Sequence, residues 1–116
     1  MTPVILIQGV ILTTTAVAHY TVPAGDNRLK YVQMTSLRFC NITAGDVLVT
    51  LYVVPKGKTA ATKYLRFSSL KIPANVSEDP SAYFVMNDVL LPGTMLQAFS
   101  NTAGAIAMSA FGTQYP

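Results

Sequence analysis

The chain has 116 residues, which is enough for one domain with a buried core. Hydrophobic residues make up 51% of it and charged residues only 11%, so we infer that partners cover part of its apolar surface. Its eight basic and five acidic residues are dispersed, which disfavours the clustered basic surface of a nucleic-acid-binding protein.

The first predicted strand, over residues 3–15, opens on an apolar run, Val4-Ile-Leu-Ile7. A signal peptide would carry a positively charged leader, and Gln8-Gly9 interrupts the run. The run is also too short to span a bilayer, so we expect no membrane partner. Val4, Ile5, Leu6 and Ile7 are candidate subunit contacts, as a strand that adds to a neighbour's sheet edge. The alternative is that they only form the first strand of their own sandwich.

A second short strand is predicted over residues 17–22, followed by a turn over 23–27 and a long extended segment over 28–42. The alternation of this long segment changes phase near Ser36. That shift predicts a bulge or bend, which often marks a strand that crosses a sandwich corner. A turn over 41–46 then leads into the most apolar strand of the chain.

This central strand, Asp46–Pro55, is apolar on both faces. One face carries Val47, Val49, Leu51 and Val53, and the other carries Leu48, Tyr52 and Val54. A strand that is apolar on both faces is typically buried on both. We therefore predict that one face fills the sandwich and that the other lies under a covering strand or a neighbouring copy. Tyr52 is accordingly a candidate subunit contact.

The remaining strands are separated by polar turns. The loop over 55–62 contains Lys56 and Lys58, which are candidates for contact with an acidic partner; a solvated hairpin tip is the alternative. Further strands are predicted over 63–73 and 83–91, separated by a loop over 74–81. A final hairpin is predicted from strands over 94–100 and 105–111, joined at Asn101–Gly104.

Turn signals recur about every ten residues, and no window shows a sustained helical period. The chain is therefore predicted to be all-β, a single antiparallel β-sandwich domain over residues 1–116 with about eight strands. Both a jelly-roll-like and an immunoglobulin-like sandwich fit, and the strand order stays open.

Two segments, Ser36–Gly45 and Leu96–Gly104, show the same pattern. Each has a predicted strand followed by Asn and then by Thr-Ala-Gly. The similarity indicates either a duplicated hairpin unit or the common residue requirements of hairpin turns, and we favour the second explanation.

Residue types that commonly carry out catalysis are sparse in this sequence. His19 is the single histidine, and no nucleophile elbow of the Gly-x-Ser-x-Gly type is present. The acidic residues lie in turns or at loop ends: Asp26, Asp46, Glu78, Asp79 and Asp88. They lack the spacing of a calcium loop, and zinc has no ligand set. We predict a protein that is not an enzyme, with no catalytic, cofactor or metal site.

Cys40 is the single cysteine, so the chain has no intrachain disulfide, and its apolar neighbours predict a buried thiol. Asn41-Ile-Thr43 and Asn75-Val-Ser77 match the glycosylation pattern, which we interpret as coincidence.

Four segments taken together resemble a known group of proteins. They are Tyr20–Gly25, Cys40-Asn41, Val49–Gly57, and the region from Val89–Gly93 to Leu96-Gln-Ala98. These turns and core strands resemble those of small β-sandwich virion proteins of tailed bacteriophages, in which they occur in the same order. The resemblance covers about residues 11 to 112.

The resemblance implies a virion component, assembled in the host bacterial cytoplasm, that acts as a homo-oligomer, with a trimer favoured. Its expected partners are itself and other virion proteins, such as major capsid or tail proteins. A capsid decoration protein is the first interpretation. The alternative is a module of the tail, fibre or baseplate that binds a host receptor or glycan. A shared exposed patch of tyrosines would favour the alternative, and the candidates are Tyr20, Tyr31, Tyr64, Tyr83 and Tyr115. No catalytic residues are implied.

Overall fold

The computed structural model describes residues 2–25, 29–74 and 82–116, with residues 82 and 83 described in the backbone alone. Over these ranges the chain forms eight β-strands and one short 3-10 turn, Thr62–Tyr64. The strands are β1 (Thr2–Ile11), β2 (Val17–Thr21), β3 (Tyr31–Asn41), β4 (Val47–Val54), β5 (Leu65–Ile72), β6 (Ala82–Leu90), β7 (Met95–Ser100) and β8 (Ile106–Tyr115). The all-β prediction is confirmed.

The strands form two antiparallel sheets of four strands each. Sheet A has the order β1-β8-β3-β6, and sheet B has the order β2-β7-β4-β5. The first strand therefore lies beside the last, the second beside the seventh, the third beside the sixth, and the fourth beside the fifth. This nesting is a long hairpin rolled into a sandwich, the jelly-roll arrangement. It differs from the strand order of an immunoglobulin domain.

The core lies between the inner faces of the two sheets. Its largest fully buried side chains include Phe39, Leu12, Met34, Leu37, Leu51, Ile72, Leu90, Leu96, Ile106 and Met108. They belong to both sheets because alternation along β8, and along β3 on either side of its phase change between Met34 and Leu37, sends every second side chain inward. The Phe39 ring makes edge contacts with Phe67 of sheet B at 6.0 Å and with Phe84 of sheet A at 6.2 Å between ring centroids.

Strand β4 fills the sandwich with one face, as predicted. Val47, Val49 and Leu51 are buried in the core, and Val53 packs against it. On the other face, Leu48 is exposed and Tyr52 is half-buried. Val54 is fully buried, although it does not belong to the core cluster. No described strand covers this face. The 3-10 turn Thr62–Tyr64 of the same chain contacts β4, so the end of the strand near Val54 is covered by the chain itself.

The bulge predicted near Ser36 is confirmed. The register of β3 shifts between Met34 and Ser36 against both of its neighbours, β6 and β8. The prediction that the strand crosses a sandwich corner there is wrong, because β3 stays within sheet A on both sides of the shift.

The predicted final hairpin is also wrong. β7 belongs to sheet B and β8 to sheet A, so the Asn101–Gly104 turn carries the chain across the sandwich. The turn after Asn41 does the same, between β3 and β4. The shared Asn and Thr-Ala-Gly residues of these two segments therefore mark corners between sheets, and hairpin requirements do not explain them.

Asn41 anchors the first of these corners from a fully buried position. Its Nδ2 donates hydrogen bonds to the carbonyl oxygens of Gly45 at 2.7 Å and Ile72 at 3.0 Å. Its Oδ1 accepts from the backbone N–H of Thr43 at 3.0 Å and from the Thr43 hydroxyl at 2.6 Å. The side chain thus joins the corner to the end of β5, and its burial leaves no access for a glycan.

We expect Asn41→Ala to lower the free energy of unfolding by about 2–3 kcal/mol, because it leaves buried carbonyl and N–H groups without these partners. Asn101→Ala is the matched control. The Asn101 side chain is exposed, although its Oδ1 accepts from the Leu48 N–H at 3.0 Å, so its loss should cost about 1 kcal/mol or less. Urea denaturation measures both values, and equal losses would contradict this assignment.

A second bulge lies in β5, where Ser69 has a positive φ of 52°. Leu51 pairs with Phe67 and Val49 pairs with Leu70, so two serines of β5 lie opposite Thr50. The Ser69 N–H donates to the Thr50 hydroxyl at 3.1 Å. The extra residue lets both Phe67 and Leu70 pack against the core.

A left-handed backbone costs a residue with a side chain about 1 kcal/mol, and glycine does not bear that cost. Ser69→Gly should therefore stabilise the fold by up to about 1 kcal/mol. Ser68→Gly, at the neighbouring position, should destabilise it by about 0.5–1 kcal/mol, because glycine weakens an ordinary strand. Thermal unfolding of the two variants measures the difference, and a loss of stability in Ser69→Gly would refute the argument.

Candidate interaction surface

The possible chemistry of the described residues is limited. The Nε2 atom of His19, in the edge strand β2, lies 3.4 Å from the Ala98 carbonyl oxygen. Within residues 2–25, 29–74 and 82–116, no group of three or more His, Cys, Asp or Glu side chains is placed to hold a metal ion. Asp26, Glu78 and Asp79 lie outside the described residues.

Two ion pairs involve sheet B. Arg66 Nε lies 2.7 Å from Asp88 Oδ2 and joins the edge strands β5 and β6, while Lys71 Nζ lies 3.2 Å from Asp46 Oδ2. Both pairs are partly exposed, so each contributes at most about 1 kcal/mol. The Arg66 pair holds the two sheets together along one open side of the sandwich.

Lys56 and Lys58 lie in the connection between the paired strands β4 and β5, and both are exposed. The Lys58 N–H donates to the Pro55 carbonyl oxygen at 3.1 Å. The Lys56 side chain lies against Gly93, where an added Cβ would meet the Lys56 Cβ at 2.6 Å. The segment is thus a hairpin connection held against a neighbouring turn, and contact with an acidic partner stays a prediction.

The N-terminal run lies in β1, at one edge of sheet A. Leu6 and Ile7 are buried in the core of the same chain, and Val4 packs against it. Ile5 points outward with 53% of its surface exposed. The run is therefore the first strand of its own sandwich, and only Ile5 remains available to a neighbour through its side chain.

The outer face of sheet A carries four of the eight described large hydrophobic residues that are exposed, Ile5, Ile11, Val85 and Val89. We call it the apolar face. Its residues follow from the strand register: Ile5, Phe111, Ser36 and Val85 form one row, Pro3, Thr113, Gln33 and Val89 a second, and Ile11, Ala107 and Cys40 a third. Cys40 is half-buried on this face, so the prediction of a core thiol is wrong.

Exposure distinguishes the apolar face from the outer face of sheet B. Val85 is 83% exposed, Val89 56% and Ile11 47%. Among the described large hydrophobic residues, Leu48 at 39% is the one exposed example on the outer face of sheet B. The described strand residues of sheet A place a single charged side chain, Arg38, on the apolar face, because Asp88 pairs with Arg66.

A depression of about 350 Å³ lies at the β1–β8 side of the apolar face. It is lined by Pro3, Val4, Ile5, Thr35, Phe111, Gly112 and Thr113. Val85 stands in the same row as Ile5 and Phe111, on the strand at the opposite edge of the sheet. The face thus carries a concave area at its β1–β8 side and the exposed Val85 at its β6 side, where Val85 also borders a second depression of about 230 Å³ together with Arg66, Phe67, Leu70, Phe84 and Met86.

The described tyrosines do not share one patch. Tyr31 and Tyr115 stack at 4.7 Å on sheet A, and the Tyr115 hydroxyl donates to Gln33 Oε1 at 3.2 Å. Tyr52 stacks on Phe99 at 6.3 Å on sheet B. Tyr20 packs against the core from β2, where burial raises the pKa of its hydroxyl above the usual value. Tyr64 lies in the 3-10 turn, and the Tyr83 side chain is outside the description.

Comparison of the chain with protein-family models, with curated proteins and with solved structures finds no match. Within the described residues, no helix has the length and apolar character needed to cross a membrane.

The two faces of β4 give a direct test of these assignments. Leu51→Asp should prevent folding, because it places a carboxylate in the core without a partner. Tyr52→Asp should leave the chain folded with a loss of about 1–2 kcal/mol, because the side chain is half-buried on the outer face and mainly loses its stacking on Phe99. Circular dichroism during thermal unfolding measures both. Unfolding of the isolated chain by Tyr52→Asp would mean that this face belongs to the core.

Proposed function

We propose that this chain is a non-enzymatic structural component of a tailed-bacteriophage virion, and specifically a homo-oligomeric capsid decoration protein. The observation that carries the proposal is the apolar face, a large area of exposed aliphatic side chains with one charged residue. Apolar surface of this extent on a folded domain is typical of a protein that works in contact with others.

The link to virions comes from the sequence, through the resemblance carried by Tyr20–Gly25 and Val49–Gly57. The fold is compatible with it, because jelly rolls recur in viral capsid proteins. Jelly rolls also occur in lectins, so the fold by itself does not choose between a structural and a glycan-binding role.

The distribution of the tyrosines favours the structural role. A glycan-binding platform needs exposed aromatic rings next to polar side chains. The Tyr31–Tyr115 pair beside Gln33 is the one described arrangement of this kind, and its rings are half-buried against each other. The other described tyrosines lie in β2, in sheet B and in the 3-10 turn. A receptor- or glycan-binding module of the tail, fibre or baseplate is therefore the second candidate.

Particles of the encoding phage provide the test. We expect purified protein to bind mature heads saturably, at a fixed number of copies per particle, and to be absent from isolated tails. Heat-unfolded protein is the control for nonspecific adhesion. Binding to tails alone would select the second candidate, and no binding to either fraction would refute a structural role in the virion.

A further inference from the structure

We propose that copies of this chain bind one another through the apolar face of sheet A. The inference rests on the proposed function in one respect, since it names the surface by which a homo-oligomeric structural protein would contact itself.

The exposed side chains are the first reason. Val85, Val89, Ile5 and Ile11 hold aliphatic surface in water at both edge strands of sheet A. Removing such surface from water stabilises a complex by about 25 cal/mol for each Å² that is buried. Phe111, Ala107 and Cys40 lie between these edges, so an approaching surface would meet apolar groups there beside the polar side chains of Ser36, Gln33 and Thr113.

The size of the face is close to that of one side of a standard protein interface. Four strands at about 4.8 Å spacing and ten residues at about 3.3 Å each give roughly 650 Å² in projection. One partner of a standard protein interface contributes about 800 Å².

The shape of the face also suits a copy of itself. The depression bordered by Ile5 and Phe111 lies at one side, and Val85 protrudes at the other. Every copy carries both features, so the protruding side chain of one copy can enter the depression of another. A contact between identical chains can therefore bury the most exposed aliphatic residue of the face.

The distribution of charge also favours a second copy of this chain as the partner of the apolar face. The chain has a net charge of +3, so two copies repel each other through most orientations. Described charges are concentrated on sheet B and in its connections, at Asp46, Lys56, Lys58, Lys63, Arg66 and Lys71. Among the described strand residues of sheet A, Arg38 is the one charged side chain on the apolar face, and arginine is a residue type that interfaces favour. Identical basic chains therefore approach with least repulsion through this face.

The test compares two matched substitutions by light scattering and analytical ultracentrifugation in the micromolar range. Wild-type protein should form an oligomer. Val85→Asp should weaken association about thirtyfold or more, as expected when an interface hot spot is lost. Leu48→Asp is the control, because it charges an exposed aliphatic residue on the opposite face and should associate like wild type. Ile5→Asp, at the border of the depression, should behave like Val85→Asp.

Folding and association are separated by two further readouts. Circular dichroism should show that all three variants are folded, because the substituted side chains are 39–83% exposed. Cys40, on the apolar face, should react with a thiol reagent more slowly as the wild-type concentration rises, and this protection should disappear in Val85→Asp.

A monomeric wild-type protein would overturn the proposal, and so would loss of the oligomer in Leu48→Asp with retention in Val85→Asp. Failure of the proposed function is a different result. An oligomer that depends on Val85 but ignores phage heads removes the decoration role and leaves the interface in place. A monomer that binds heads removes the interface and leaves the decoration role.

Discussion

The packing of the two inner sheet faces against each other is the constraint on which the rest of the structure depends. Phe39 shows how the layers meet, because its ring contacts Phe67 across the sandwich and Phe84 within its own sheet. Each strand must send one set of alternating side chains into this layer, and the register of its neighbours then follows. The bulges at Ser36 and Ser69 are local adjustments that keep this inward set intact.

The corners between the sheets follow from the same constraint. A strand that ends in one sheet must deliver the chain to the other without leaving buried backbone groups unpaired. Asn41 does this with its carboxamide, which substitutes for ladder hydrogen bonds at the end of β5. Asn101 occupies the corresponding place in the last corner and binds the β4 backbone at Leu48. The two Thr-Ala-Gly segments are thus similar because each of them carries the chain from sheet A to sheet B or back.

The outer faces are free of this constraint, and there the two sheets differ. The end of sheet B near Val54 is covered by the connection that follows β4, and its surroundings carry most of the described charge. The described residues give sheet A no such cover, and aliphatic side chains are exposed at both of its edges. A chain with 11% charged residues has few charged groups for its surface, and the apolar face is where that shortage is concentrated. The proposed role and the proposed self-contact both depend on this asymmetry.

The sequence by itself determined the local structure: the all-β class, the number of strands, most strand limits and the phase change near Ser36. These properties depend on side-chain alternation and turn chemistry, which act between residues that are close in the chain.

Only the tertiary structure decided which strands pair. The Asn101–Gly104 turn looks like a hairpin in the sequence because glycine and asparagine allow reversal whether or not the flanking strands share a sheet. Only the register decided that Ile5, Phe111 and Val85 share one row, since the residues that pair along that row are about fifty to more than a hundred positions apart in the chain. The apolar face is therefore a product of long-range pairing, and no local pattern in the sequence contains it.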